Sequence, residues 1–422
     1  MPYSIRHIQE YQQTTLASQR QYNLKNGSRL NLYFSFDSFE IRERRGDTRL
    51  QRADREDEYQ GKVLYLEERS NWNFAFGGEI SLQEQGLKPH TYDEYKLERN
   101  TAPWSTYTFS PLGEVQFDVS DDWTVFASAR ADKNKHTSWL ASPRLAVTHA
   151  LDTNQYLKLI LNRSVRKADD LDLRNAYEDG KEADNEIIHV AEIRFDDFSA
   201  DHQRFGVAAF FQDVEILAWQ TRTSTRPGQI RRLGEYTAWG FEFEYQAEFD
   251  QHRLMVSYGY TDLIRFTVGP DGSGQNFSAA PYGYGNDLTH WAKHTAQLSY
   301  FYEYTHRMDF SASLRILSNF DGLKNMGSVY TDLSQVEPEV ARPNFASRQD
   351  LFPGYEAAFR PNAYLNLGAR YQLTSKIGLS LDIHNALGFI DEDLNKRNQL
   401  AGRGVDYRIE APAFSIGISG KL

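Results

Sequence analysis

The sequence predicts an all-β chain, a transmembrane antiparallel β-barrel of about sixteen strands with short periplasmic turns and long extracellular loops. Three observations carry this. Apolar and polar residues alternate for on the order of ten residues at a time, where soluble strands cluster nearer five or six and a tilted membrane-crossing strand needs roughly nine to eleven. Short turns of roughly two to five residues alternate with loops of roughly seven to forty or more, the sidedness of an outer-membrane barrel. Aromatic residues make up 14% of the chain, with 25 Tyr and 26 Phe, and such rings favour strands and form the interfacial girdles of barrels.

Taken in order, residues 1–28 are Gln-rich and polar and read as an arm or a poorly defined strand; residues 29–422 read as one barrel domain. Leu32, Phe34 and Phe36 alternate with Asn31, Tyr33 and Ser35, and a charged loop is expected over Arg42–Glu58. A strand near Tyr59–Glu67 leads to Trp72, Phe74, Phe76, Ile80 and Leu82, which share a face opposite Asn73, Ala75, Glu79 and Ser81. A long loop is predicted over Gln85–Tyr107. Strands follow near Phe109–Val119, Trp123–Asp132, Ser142–Leu151 and Tyr156–Arg166, then a charge-laden loop over Lys167–Asp184. Next come Glu186–Phe195, His202–Trp219 and the clearest strand, where Thr237, Trp239, Phe241, Phe243 and Tyr245 stand against Gly240, Glu242, Glu244 and Gln246.

The remaining strands fall at Leu254–Tyr260, Thr295–Tyr304, Met308–Leu317, a hairpin over Asn362–Asn385, and Ala411–Leu422. In the hairpin Leu365, Leu367, Ala369, Tyr371, Leu379, Leu381 and Ile383 take one face; Gly368, Arg370, Gly378, Ser380, Asp382 and His384 take the other. Successive strand residues point to opposite faces, so each strand carries one apolar and one polar wall. A barrel turns the apolar wall to lipid and the polar wall to a wet lumen. Trp72, Trp123 and Trp219 lie near strand ends, where interfacial rings belong.

Bulk numbers agree. Hydrophobic residues are only 40%, mean hydropathy is -0.64, and no run approaches the roughly 18 apolar residues a transmembrane helix needs, while crossing strands stay compatible with such numbers. There are no cysteines, which removes disulfides, thiolate metal sites and cysteine nucleophiles together. The net charge of -11 argues against nucleic acid as a partner. Met1–His7 lacks a charged region followed by an apolar core, so no signal peptide is read there.

Catalytic patterns are weak, and the chain reads as no enzyme and needing no cofactor or metal. Gly272-Ser273-Gly274 reads as a flexible turn. Ser380, His384 and Asn385 could suggest a membrane lipase, but Ser380 and His384 have lumen parity, whereas such a site faces lipid. Glu242, Glu244, Glu248 and Asp382 read as hydrated wall residues ahead of an acid/base pair. Ligand capture is assigned to the large outer loops, since binding residues concentrate on loops held by a rigid scaffold. The candidate ligand-binding residues are Tyr282, Tyr284, Trp291, Phe320 and Tyr330, whose rings can stack on a planar or sugar ligand; packing of the loops against each other is the plainer alternative.

Several stretches resemble one family in its own order. They are Ser142-Pro143-Arg144, Tyr156-Leu157-Lys158, Asn162–Arg166, Glu192-Ile193-Arg194-Phe195, Gly240-Phe241-Glu242-Phe243-Glu244, Pro361–Tyr364 into Tyr371-Gln372-Leu373, Leu379–Asn385, and Phe414–Ile418. Together they resemble the β-barrel portion of TonB-dependent outer-membrane receptors. The resemblance implies a bacterial outer-membrane location, contact with outer-membrane lipid, and uptake of a scarce small molecule. That ligand is expected to be a ferric siderophore-type chelate, with vitamin B12 or a carbohydrate as other members' cargo. It also implies a plug domain inside a 22-stranded barrel, coupled to an energy-transducing TonB complex. No plug sequence is read in this chain, so TonB coupling is expected only where a plug is supplied. A plugless, porin-like passive channel is the alternative.

Overall fold

The computed structural model describes residues 7–45, 49–86, 103–168, 170–178, 180–219, 230–268, 292–319, 361–390 and 412–420. The chain divides into two compact units, the first comprising Met1–Val147, Ile160–His189 and Leu217–Arg231, the second Thr148–Leu159, Val190–Ile216 and Arg232–Leu422.

In the first unit, strands β1 (His7–Asn23), β2 (Arg29–Arg45), β3 (Arg49–Glu68), β4 (Trp72–Gln85), β5 (Trp104–Asp118) and β6 (Trp123–Asn134) pair in sequence order. All ladders are antiparallel, from His7↔Arg45 to Asn23↔Arg29 in the first and from Trp72↔Phe117 to Gln85↔Trp104 between β4 and β5. Pro111 lacks a backbone N–H, and the β5–β6 register runs from Phe109↔Lys133 to Leu112↔Arg130 with no pairing at Pro111. Four strands, β7 (Trp139–Asp152), β8 (Gln155–Arg166), β9 (Glu186–Asp197) and β10 (Gln203–Trp219), divide their residues between the units, as does β11 (Ile230–Phe249). In the second unit β11 pairs with β12 (His252–Val268), followed by β13 (His294–Thr305), β14 (Met308–Ser318), β15 (Asn362–Gln372), β16 (Ile377–His384) and β17 (Ala413–Gly420).

Seventeen strands are present among the described residues, against about sixteen expected. The added one is β1, within the segment read as an arm or poorly defined strand. The charged loop expected over Arg42–Glu58 is instead strand: β2 continues to Arg45, and β3 begins at Arg49. Charged residues ended the apolar alternation without ending the ladder, because antiparallel hydrogen bonding does not depend on side-chain polarity. The strict alternation of short and long connections also fails, since β6 and β7 are joined by 135–138 alone. The loop read over Lys167–Asp184 contains helix α1 (Asp170–Glu178). A single turn, α2 (Leu387–Ile390), follows β16.

Exposure separates the two faces of the sheet. Phe76 and Ile80 are each 55% exposed, while Ala75 on the other face is 7% exposed. In the second unit, apolar side chains run across β14 to β17 in register: Leu314↔Leu365, Leu367↔Ile383 and Ile383↔Phe414 belong to one such wall. Two aromatic rims bound it. Near turn 250–251, His252 stacks on Tyr302 at 4.7 Å between centroids, beside Phe249, Tyr300 and Tyr304. At the opposite strand ends lie Trp239, Tyr258, Tyr260 and His294. From His252 to Tyr260 the strand climbs roughly 27 Å at about 3.4 Å per residue, comparable with the roughly 25 Å apolar band of a membrane barrel.

The first unit shows where such a band stops. Phe36 meets Tyr59 at 4.9 Å between centroids. The next same-face pair is Ser38↔Asp57, and then Glu40↔Arg55. The Ser38 hydroxyl donates to Asp57 at 2.6 Å, and Arg55 holds Asp57 at 2.7 Å. That carboxylate, through its hydrogen bond, raises the Arg55 pKa further above its ordinary value. One face therefore changes within a single step from aromatic to ionic.

Candidate ligand-binding ledge

In the first unit, three rings converge from three segments at the strand ends opposite turns 24–28, 69–71 and 119–122. Trp104 opens β5, His136 sits in the 135–138 connection, and Tyr177 lies on α1. The Trp104 indole stacks on the His136 imidazole at 4.6 Å and 23°. Tyr177 packs 4.8 Å from His136 and 5.7 Å from Trp104, between centroids. Tyr177 is 60% exposed, so this cluster presents ring surface outward rather than closing on itself.

A buried polar cluster fixes the ledge from beneath. Asn134 is fully buried and bonds to both neighbours on the polar face: the Thr106 hydroxyl donates to its Oδ1 at 3.1 Å, and its Nδ2 donates to Thr108 Oγ1 at 2.9 Å. The His136 backbone N–H also donates to Asn134 Oδ1, at 2.9 Å. That last bond sets the turn carrying the imidazole. Below, Arg130 spans Glu79 at 2.9 Å, Asp132 at 2.7 Å and Ser110 at 3.0 Å. Helix α1 is seated by Leu173, buried among Ala168, Ala183 and Ala176. Gly180 follows it at φ +67°, the left-handed conformation that glycine supplies past a helix C-terminus.

A second tether joins the helix-bearing connection to 135–138. The Ser138 N–H donates to Glu182 Oε1 at 2.8 Å, and this backbone bond holds the Glu182 pKa below its ordinary value. A depressed carboxylate stabilises the fold above its unfolded pKa of about 4.3, and that contribution is lost as pH falls through the lower folded value. Amide protection factors in 170–178 should therefore fall as pH drops below about 4 in wild type and be lower already at neutral pH in Glu182→Ala. Equal exchange in the two proteins at neutral pH would refute the tether.

On the polar face of the second unit, an ionic band crosses β8 to β11. Lys158 Nζ binds Asp196 Oδ2 at 2.7 Å; Arg194 binds Asp196 Oδ1 at 2.8 Å and Glu244 Oε2 at 2.8 Å. Gly206 leaves room for it: a Cβ there would lie 2.8 Å from Arg194 Nη2. Glu248 pairs with Arg253 at 2.7 Å. Glu244 and Glu248, read as hydrated wall residues, are thus ion-paired wall residues. Asp382 lies on the same face, beside Gly368.

The sequence-assigned ligand residues Tyr282, Tyr284, Trp291, Phe320 and Tyr330 lie outside the described residues. Trp104, His136 and Tyr177 were missed. Trp104 falls in the loop predicted over Gln85–Tyr107, since the apolar alternation begins at Phe109, whereas β5 starts at Trp104. Thr106 and Thr108, alternating with Tyr107, are the signal that extends the strand back to the indole.

Long antiparallel strands with one aromatic-edged apolar face and one ion-paired polar face define an outer-membrane-type β-barrel protein. The chain belongs to the TonB-dependent receptor-like β-barrel family, whose pattern matches residues 2–386. No curated protein matches it. Among solved structures it is similar to the FrpB iron transporter from Neisseria meningitidis, at TM-score 0.66 and 12% identity, covering 98% of this chain and 63% of that one. The siderophore receptor PirA from Acinetobacter baumannii gives TM-score 0.65 and 12% identity over 98% of this chain and 62% of that one. A mutant of the ferric enterobactin receptor PfeA from Pseudomonas aeruginosa gives TM-score 0.62 and 12% identity, over 90% and 56% respectively. The chain thus spans about three-fifths of the length of these structures. Its family is one of receptors and transporters.

Proposed function

We propose that this chain is the barrel wall of an outer-membrane receptor for TonB-dependent uptake of a scarce nutrient, a ferric siderophore-type chelate. The observation that carries the reading is the Trp104–His136–Tyr177 ledge. Flat, partly exposed rings held by buried hydrogen bonds suit the planar aryl groups of such chelates, because aromatic pairs favour offset stacking. Tyr282, Tyr284, Trp291, Phe320 and Tyr330, all in long connections, belong to the same proposal as further stacking groups. In each unit the polar face carries ion pairs, Arg130 with Glu79 in the first and Arg194 with Glu244 in the second, and such a face is suited to a wet passage. Coupling to a TonB complex is assigned to a plug domain.

Binding by the purified protein tests this. A ferric catecholate chelate is expected to quench tryptophan fluorescence and bind saturably, with vitamin B12 and a maltodextrin as non-binding controls. Saturable binding of a control instead reassigns the ligand. Steady, wide conductance in planar bilayers without saturable binding of any of the three identifies a passive channel.

A further inference from the structure

We propose that the lipid-facing wall of β11–β14 binds one phosphorylated glycolipid of the outer leaflet, an acyl chain lying in a groove and a phosphate at Lys293. The inference rests on the family's sidedness, which places the long connections outside, and not on the identity of the transported ligand.

The groove measures about 570 Å³ and exposes only apolar area. Its walls are Phe241, Phe243 and Tyr258 on one side and Leu298, Leu314 and Ile316 on the other. Its depth comes from one residue: Ala296 is paired with Tyr258 on β12 and with Ile316 on β14, so a methyl group sits between two large side chains. A face that needed only to meet disordered lipid tails would require no such notch. Contact with fixed walls distinguishes an acyl chain laid in the notch from bulk lipid only if its head is also held.

The head of the groove supplies that hold. The Tyr258 hydroxyl is 2.7 Å from His294 Nδ1, and Tyr260 packs 5.0 Å from the same imidazole, between centroids. Directly beside them Lys293 Nζ meets Asp262 Oδ1 at 2.8 Å. Asp262 fixes the ammonium at the rim, where a phosphate can share it, and the Tyr258 and His294 pair adds hydrogen-bonding groups for sugar hydroxyls. These groups lie at the aromatic rim toward the long connections, which is outer-leaflet depth. Glycolipid is favoured over glycerophospholipid because the Tyr258 and His294 groups stand ready for sugar hydroxyls beside the ammonium.

The test is lipid retention through purification in mild detergent, read by mass spectrometry. Wild type is expected to keep about one glycolipid per chain, Ala296→Phe to lose about tenfold, and Lys293→Ala several-fold. Ala369→Phe adds the same bulk to the apolar wall outside the groove and is expected to leave retention unchanged. Each variant is first shown folded by heat-modifiable migration. Should Ala296→Phe not fold, titration of delipidated wild type with lipid A against phosphatidylethanolamine decides. Equal retention by Ala296→Phe and Ala369→Phe, or preference for the phospholipid, overturns the proposal while leaving the ligand ledge untouched.

Discussion

Gly240→Val is expected to abolish heat-modifiable migration, leaving the chain unfolded or in an assembly-defective form. A Cβ at Gly240 would overlap the Tyr260 carbonyl oxygen of the paired strand and lie 2.6 Å from Cζ of Phe210. Overpacking of a close-packed site costs about 1–3 kcal/mol when side chains can move. Here one of the obstructing atoms is backbone, so the cost exceeds that range unless the ladder itself shifts. Strand glycines commonly mark such close backbone approach. Gly61→Ala is the matched control, because its added carbon would meet only Ile80 Cγ2 at 3.7 Å. Wild-type migration by Gly240→Val would show that the Phe210 ring and the β11–β12 ladder are looser than their geometry states.

Loss of ligand affinity is the second large effect. Trp104→Ala removes the indole, the ring stacked on His136, and should weaken binding of the ferric catecholate by about 1–2 kcal/mol, roughly five- to thirtyfold in Kd. Tyr177→Ala should cost somewhat less, since its ring is the more exposed of the pair. Trp123→Ala, at the short-turn end of β6, should leave Kd within about twofold, as a ring far from the ledge contributes no contact. Isothermal titration across the three variants reads the pattern. If Trp104→Ala and Trp123→Ala behave alike, the ledge is structural and the capture site must be sought in the long connections.

The strand framework was legible because the apolar wall is written at every second position. The Asn362–Asn385 hairpin shows this: Leu367↔Ile383, Ala369↔Leu381 and Tyr371↔Leu379 are the pairs that parity requires, and Gly368 and Asp382 face each other on the polar side. Where one face carries no apolar residue, parity has nothing to read. Thr14, Thr15 and Gln13 in β1 pair with Ser38, Asp37 and Phe39 across a fully formed ladder, yet neither face of that stretch of β1 is apolar. Before Tyr59 the charged half of β3 is illegible for the same reason. The ledge was less legible still. His136 and Tyr177 meet Trp104 only through tertiary placement of a short connection and a helix, which no spacing along the chain encodes.

Within each unit the strand runs pair in sequence order, from β1–β2 to β5–β6 and from β11–β12 to β16–β17. Each new strand therefore needs only a local loop closure before its hydrogen bonds form, which keeps the entropic toll of a growing sheet low for so long a chain. It also means that the most recently added strand is the sole fresh edge of each growing run, a template for the next hairpin and, until that arrives, for any other chain. Assembly by sequential addition of hairpins is the kinetic route such a topology favours. β17 is then the last strand of its run to pair, and it carries Phe414, Ile416 and Ile418, among the most exposed apolar residues described.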